Sequence, residues 1–363
     1  MLIFDHFCFP VFILRLLGKM TRLSPNYAGG PDSYYNANAN RVWSKPVKVL
    51  ITGANGFVGR HLCAHLLSLG TYELHGTHIE AHLSPDAPAI QWHQLDLREA
   101  APTLSLLQKL QPDLVFHLAA QAFVPQSYED PWETLENNIR GQVNLLEGLR
   151  QAAIPARILV ISSAHVYGKI QAEDNPIRET QAFAPDSPYS VSKAAQDLLA
   201  QQYHLAHGLH TVRARPFNHI GPGQNTRFAL PNFADQIAAA ELGQAPPVIE
   251  VGNLAASRDF TDVRDVVRAY HLMLTQGQAG AVYNVCSGLC YTMEHLLNLL
   301  CAQSHIPLEV RTRPDRFRPL DIPKMQGDAS RLHQDTGWQA TIDIQQSLGD
   351  ILNFYRKLRK STL

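Results

Sequence analysis

From Val47 to about Pro216 the apolar positions fall alternately into short solid runs and longer stretches where they recur every three or four residues. Val47-Lys48-Val49-Leu50-Ile51 predicts a strand, and the segment that follows, through Leu69, predicts a helix. Glu73–Ile79, Gln94–Leu97, Leu114–Leu118 and Arg157–Ile161 read as further strands. Between the last two, Trp132–Ala152 carries Leu145, Leu146 and Leu149 at the spacing of a buried helical stripe. Strand followed by helix, repeated, predicts an α/β chain with a doubly wound parallel sheet, because parallel neighbours need a crossover and the helix supplies it. Beyond Pro216 the rhythm loosens into a helix over Leu230–Leu242, a strand over Val248–Val251 and a basic, aromatic turn over Ser257–Val263. A helix then runs through Leu274, and Ala281–Val285 is a strand able to rejoin the sheet. No internal repeat is present.

Residues 1–46 read differently. Phe7–Leu17 is nearly all apolar, and Ser24–Asn40 is rich in Pro, Gly, Asn, Ser and Tyr. The apolar run is short of the roughly 20 residues that span a bilayer. Asp5 ahead of it, with Arg15 and Lys19 inside or after it, is the wrong order for a signal peptide. The segment is expected to be a disordered or non-native extension, with Met20 as an alternative start; a membrane-surface anchor is the other reading.

Composition narrows the function classes. A chain of 363 residues, 45% hydrophobic and 17% charged, with a formal net charge of −1, has material for a large core and no field that would gather nucleic acid or an anionic membrane. Neither partner is expected, and a charged ligand must be held by local groups. The five cysteines are odd in number and scattered, which suits a reducing compartment and a cytoplasmic protein. Cys286 and Cys290 lack His or Cys partners at metal spacing, so no metal is expected.

Candidate chemistry begins directly after the first strand, at Thr52-Gly53-Ala54-Asn55-Gly56-Phe57-Val58-Gly59. Glycines let the backbone turn tightly and approach a pyrophosphate, whose charge meets the N–H groups of the new helix. Gly53, Gly56, Phe57, Val58 and Gly59 are therefore expected to hold a dinucleotide in a Rossmann-type fold. The second strand should end beside the adenosine ribose, where Glu80 suits NAD and Arg60 with His78 suits NADP. The expected cofactor is NADP(H) or NAD(H). Asp96 and Leu97 are placed to meet adenine, with a helix cap as the plainer role for Asp96. Ala119 and Ala120, followed by Gln121, are small residues at a strand's carboxyl end that leave room for the cofactor. Tyr189 and Lys193 are four apart. If Pro188 opens a helix, both lie on one face, and an ammonium beside the phenol would lower its pKa by about 1–3 units. Such a pair arises easily by chance and gains meaning only from its company. The expected organisation is an extension over 1–46 and an NAD(P)-binding domain over 47–216, with 259–288 returning to it. A smaller C-terminal α/β substrate domain takes 217–258 and 289–363.

From Val47 to about Leu352 the chain resembles the extended short-chain dehydrogenase/reductases that act on nucleotide sugars. The markers are the glycine loop, Ser163 within Ser162-Ser163-Ala164-His165-Val166-Tyr167-Gly168, Tyr189 with Lys193, and Arg215-Pro216-Phe217-Asn218. Within that family, the tracts at 215–224, 251–254, 257–263 and 282–288 are most similar to the GDP-4-dehydro-6-deoxy-D-mannose reductases, which form GDP-D-rhamnose. The resemblance implies hydride delivery to the C4 ketone of a GDP-sugar, with Tyr189 as proton donor and Ser163 fixing the oxygen that becomes an alkoxide. Lys193 would hold the nicotinamide ribose and lower the phenol's pKa. Arg258 and Arg318 are the expected ligands of the substrate diphosphate, with Asn218 adding a neutral hydrogen bond; surface salt bridges are the plainer reading of both arginines. Dehydratases of this family place an acidic pair after the hydroxyl residue, where this chain has Ala164 and His165, which disfavours dehydration. No cysteine stands beside Ser163, as the epimerase-reductases would require. A nucleotide-sugar 4-epimerase with tightly bound NAD, a GDP-6-deoxy-D-talose-forming reductase and a dinucleotide-sensing binding module are the alternatives. A homodimer pairing helices near 132–152 and 188–207 is also implied.

Overall fold

Six strands, β1 (Val47–Thr52), β2 (Tyr72–His78), β3 (Gln91–Gln94), β4 (Leu114–His117), β5 (Arg157–Ile161) and β6 (His210–Pro216), stand in the spatial order 3-2-1-4-5-6, and Val282–Val285 adds a seventh beyond β6. All neighbours are parallel. This computed structural model describes residues 46–83, 87–313 and 324–361. The extension expected over 1–46 lies, apart from Pro46, outside the described residues.

Apart from Lys48 and the terminal Thr52, β1 is apolar, because both its faces are covered. Val49 and Ile51 enter one core with Leu62, Leu66 and Val266, while Leu50 enters the opposite core with Leu107, Leu145 and Leu149. Burying one such side chain stabilises the fold by about 1.5–3 kcal/mol. Because the chain runs outward from β1 to β3 and then crosses back to β4, the helices diverge between β1 and β4 and leave a crevice at the strands' carboxyl ends. Residues after 217 build another core around Ile220, Phe233, Ile249, Leu296, Leu348 and Tyr355.

Three elements depart from the sequence reading. The strand expected over Gln94–Leu97 ends at Gln94, because its partner β2 ends at His78. One more ladder bond, Leu95 N–H to the His78 carbonyl at 2.9 Å, closes the pairing before the chain turns at Asp96. The helix expected over Trp132–Ala152 is helical from Pro131 to Gln151, but Glu136–Arg140 is wound as a π turn. That extra residue brings Asn138 into the interior, where it is fully buried. The turn expected over Ser257–Val263 is a strand, Ser257–Asp262. Its inward positions are polar, and the fully buried Asp259 accepts from the N–H groups of Ser287, Gly288 and Gly327 at 2.9, 2.9 and 3.2 Å.

Candidate active site

β1 delivers the chain into a turn that only glycine can make. Gly53 sits at φ +67°, and a Cβ there would stand 2.9 Å from the Ala119 backbone. At Gly59 a Cβ would stand 2.4 Å from the Gly53 carbonyl. Gly56 caps the helix Phe57–Leu69 with no side-chain hydrogen bond, which leaves the first-turn N–H groups for an anion. This cradle fits the pyrophosphate of a dinucleotide.

Opposite it stands the helix Pro188–His207, begun by proline at its first position and by a Ser187–Ser190 capping box and closed by Gly208. Tyr189 and Lys193 share one face as expected, and both are buried. Ser163, just beyond β5, lines the same cleft as the Tyr189 phenol, and its hydroxyl accepts from the His165 N–H at 3.2 Å. Burial raises the phenol's pKa, and the neighbouring Ser163 hydroxyl opposes the rise. The expected lowering by Lys193 is not how the pair is arranged. The lysine ammonium donates to the Ile161 carbonyl at 2.9 Å and to Gln196 Oε1 at 2.8 Å, and burial draws its own pKa down to about 7. Ser162 is fully engaged elsewhere, its hydroxyl donating to the Lys193 carbonyl at 3.2 Å. That division leaves Ser163 as the serine at the phenol.

A cleft of about 700 Å³ joins these parts. Its walls include Gly53, Gly56, Phe57, Val58, Gly59, Ala120, Ser163, Tyr189, Lys193, Asn218 and Arg258, so most of the expected site residues converge there. His165 lies on the same wall, its ring edge-on to Tyr189 at 6.0 Å. Asp96, Leu97, Ala119 and Gln121 are not on that wall. Asp96 is held by Arg98 at 2.7 Å, whose hydrogen bonds keep the carboxyl below its usual range. Leu97 is buried. Ala119 donates its N–H to Thr52 Oγ1 at 3.2 Å. The Gln121 side-chain amide bonds Phe123 O and Thr134 Oγ1, each at 3.1 Å, pinning the loop after β4. Arg318 lies outside the described residues. On the ribose side, Arg60 donates to the Asn55 carbonyl at 2.9 Å and His78 Nδ1 meets the Glu80 carbonyl at 2.9 Å.

Some participants were not visible in the sequence. Asn138 accepts from Gln121 N–H at 2.7 Å and donates to Ser192 Oγ at 2.9 Å, tying the loop after β4 to the Tyr189 helix. Tyr270 reaches the cleft from the helix Val263–Gln276. Neither stands in a recognisable motif, and only the packing brings them in.

Comparison with known proteins fits this geometry. The family model described as GDP-mannose 4,6 dehydratase matches residues 50–351. The chain belongs to that family. Its fold and glycine cradle make it an extended short-chain dehydrogenase/reductase. It is 40% identical over 306 residues to a GDP-6-deoxy-D-mannose reductase of Pseudomonas aeruginosa, covering 84% of this chain and 96% of that one. It is 30% identical to a GDP-6-deoxy-D-talose 4-dehydrogenase of Aggregatibacter actinomycetemcomitans, over 79% of this chain and 90% of the relative. The solved structure of RMD from Pseudomonas aeruginosa complexed with NADPH superposes with a TM-score of 0.74 at 37% identity, covering 86% of this chain and 99% of that one.

Proposed function

We propose that this member of the family is an NAD(P)H-dependent reductase that converts the C4 ketone of GDP-4-dehydro-6-deoxy-D-mannose to the alcohol of GDP-D-rhamnose. The observation that carries this reading is the convergence of Ser163, Tyr189 and Lys193 on one cleft with the glycine cradle, with Ala164 and no acid beside the serine. The reductase relative at 40% identity supports the substrate, and the NADPH in the solved neighbour supports NADPH as the first cofactor to try.

A dinucleotide held along the glycine cradle would supply the hydride. Tyr189 Oη gives its proton to the ketone oxygen as negative charge grows there, and Ser163 Oγ donates a hydrogen bond to the same atom. Burial serves this direction, since a phenol with a raised pKa arrives protonated. An ammonium has three N–H donors, of which Lys193 uses two within the protein; the third is left for the nicotinamide ribose. Gly53, Gly56, Phe57, Val58, Gly59 and Ala120 line the dinucleotide's path, with Asp96 and Leu97 assigned to its adenine end and Ala119 and Gln121 to the small-residue loop that leaves room for it. Arg258, Asn218 and Arg318 are assigned to the substrate diphosphate. The NAD(P)-binding part is taken as 47–216 with 259–288, and the substrate part as 217–258 with 289–363.

The test supplies GDP-4-dehydro-6-deoxy-D-mannose with NADH or NADPH, follows the near-ultraviolet absorbance of the reduced nicotinamide, and identifies the product by NMR. Stoichiometric oxidation with GDP-D-rhamnose is expected. GDP-6-deoxy-D-talose would mean hydride reaches the opposite face, a second reading favoured by the talose-named relative. Epimerisation of a nucleotide sugar without net oxidation would replace the reductase with a 4-epimerase. A homodimer in the cytoplasm belongs to the same reading. Trp132, Val191, Leu198 and Leu205 are exposed on the two helices assigned to pairing, and Leu198→Asp should yield a monomer by light scattering. None of the described helices is long and apolar enough to cross a membrane.

A further inference from the structure

Lys193 does not stand alone in the wall of the cleft. Gln196, one turn along the same helix, accepts from its ammonium at 2.8 Å, and a lysine can only donate, so the glutamine's oxygen faces the lysine and its amide nitrogen faces the other way. That nitrogen meets His117 Nε2 at a long 3.5 Å. The ring nitrogen must accept there, which puts the histidine's single proton on Nδ1. Nδ1 in turn stands 2.9 Å from Thr52 Oγ1, the last residue of β1, whose oxygen also accepts the Ala119 N–H at 3.2 Å. Thr52, His117, Lys193 and Gln196 are each less than 5% exposed. The direction of every bond follows from the charge at one end: Lys193 donates to Gln196, Gln196 to His117, and His117 to Thr52.

The middle of this chain tolerates no second cation. His117 is buried, and burial first, then the Lys193 charge, lowers its pKa to about 3, so it stays neutral and keeps its acceptor. His117, across on β4, feels the lysine's charge directly, while Tyr189 and the arginine-paired Asp197 stand one turn to either side of it on its own helix. The main-chain carbonyl of Gln196 is itself held by Gln142 Nε2 at 2.8 Å. Together these bonds run from the turn that cradles a pyrophosphate to the lysine assigned to a ribose, so the two anchors of one cofactor are linked through the protein interior.

We infer that Gln196 and His117 are positioning residues that hold the Lys193 ammonium in register with the nicotinamide ribose, as the middle links of a buried hydrogen-bond chain ending at Thr52. This rests on the reductase reading for the ribose but not for the sugar. The decisive pair of variants is Gln196→Met, which fills a similar volume without the acceptor, and Gln196→Glu, which keeps one oxygen for Lys193. In Gln196→Glu the second oxygen is met by a change of tautomer, His117 Nε2–H donating and Nδ1 accepting from the Thr52 hydroxyl.

NADPH affinity is measured by fluorescence titration with no sugar present, and kcat and KM are then measured with the keto sugar. Gln196→Met should weaken NADPH binding about tenfold and lower kcat about tenfold, the scale of one hydrogen bond to a charged group, while KM for the sugar stays within about twofold. Gln196→Glu should return both to within about threefold of the wild type. Wild-type affinity and kcat in folded Gln196→Met overturn the inference, as does a Gln196→Glu variant as impaired as Gln196→Met. Should Gln196→Met not fold by circular dichroism, His117→Gln takes its place; weakened NADPH binding supports the chain and unchanged binding overturns it. A wild-type protein that binds NADPH yet reduces no GDP-keto sugar defeats the proposed function and leaves this inference to be judged on affinity alone.

Discussion

Asp197 is the residue whose loss should cost the fold most. It follows Gln196 on the Tyr189 helix, is wholly buried, and receives two arginines of β6: Arg213 Nη1 at 2.9 Å and Arg215 Nε and Nη2 at 2.8 and 3.1 Å. Both guanidiniums are themselves nearly sealed from water, at 6% and 5% exposure. Their other partners, the Gly280 and Glu179 carbonyls among them, are neutral. Asp197→Asn removes the one opposing charge from two buried cations. Its amide oxygen can replace Oδ1, which serves one bond from each arginine, but its NH₂ then faces Arg215 Nε, donor against donor. Breaking a buried ion pair by neutralising one partner costs about 3–5 kcal/mol, against a total of about 5–15 kcal/mol for a typical domain. Urea unfolding followed by circular dichroism should show that loss as a lower midpoint with an unchanged slope. Asp197→Ala should be worse, because no acceptor remains. A change below about 1 kcal/mol for Asp197→Asn would refute the reasoning, since it would mean the arginines are solvated or find other anions.

Other outcomes follow from the site. Tyr189→Phe should abolish ketone reduction while leaving NADPH affinity within about threefold, because only the proton donor is removed; full activity would refute its role. Gly59→Ala should cost about 1–3 kcal/mol of stability and most NADPH binding, because its Cβ would stand 2.4 Å from a carbonyl oxygen and 2.7 Å from the Ala54 Cα, backbone that must move. Arg258→Leu should raise KM for the nucleotide sugar far more than KM for NADPH, and an equal effect on both would remove it from the diphosphate site. Acid should destabilise the fold through His117. Its folded pKa of about 3 lies below the ordinary 6.5, so the unfolded chain binds a proton that the native state refuses, and stability is lost as pH falls below 6.5 and levels near 3. Between about pH 7.5 and pH 5 this histidine alone should remove about 2 kcal/mol, read as a falling urea midpoint.

The sequence by itself determined the parts whose chemistry is local. A solid apolar run fits only a strand covered on both faces, and Gly53, Gly56 and Gly59 fit only a turn in which backbone meets backbone. Pro188 after Ser187 fits a helix start, so these positions were legible one stretch at a time, as was the four-residue spacing that puts Tyr189 and Lys193 on one face. Tertiary structure decided what depends on neighbours distant in the chain. The strand Ser257–Asp262 was hidden because its inward residues are polar, and Asp259 can be buried only because three backbone N–H groups from two other segments meet it. Arg213 and Arg215 are buried only because Asp197 meets both from the adjacent helix. Likewise the lysine read as the phenol's partner turned out to be bonded to Gln196 and a carbonyl, since a charge buried in the wall must be satisfied by whatever groups packing brings within about 3 Å. Local sequence sets backbone conformation, but a buried charge answers to long-range contacts, and those are made only when the whole sheet has assembled.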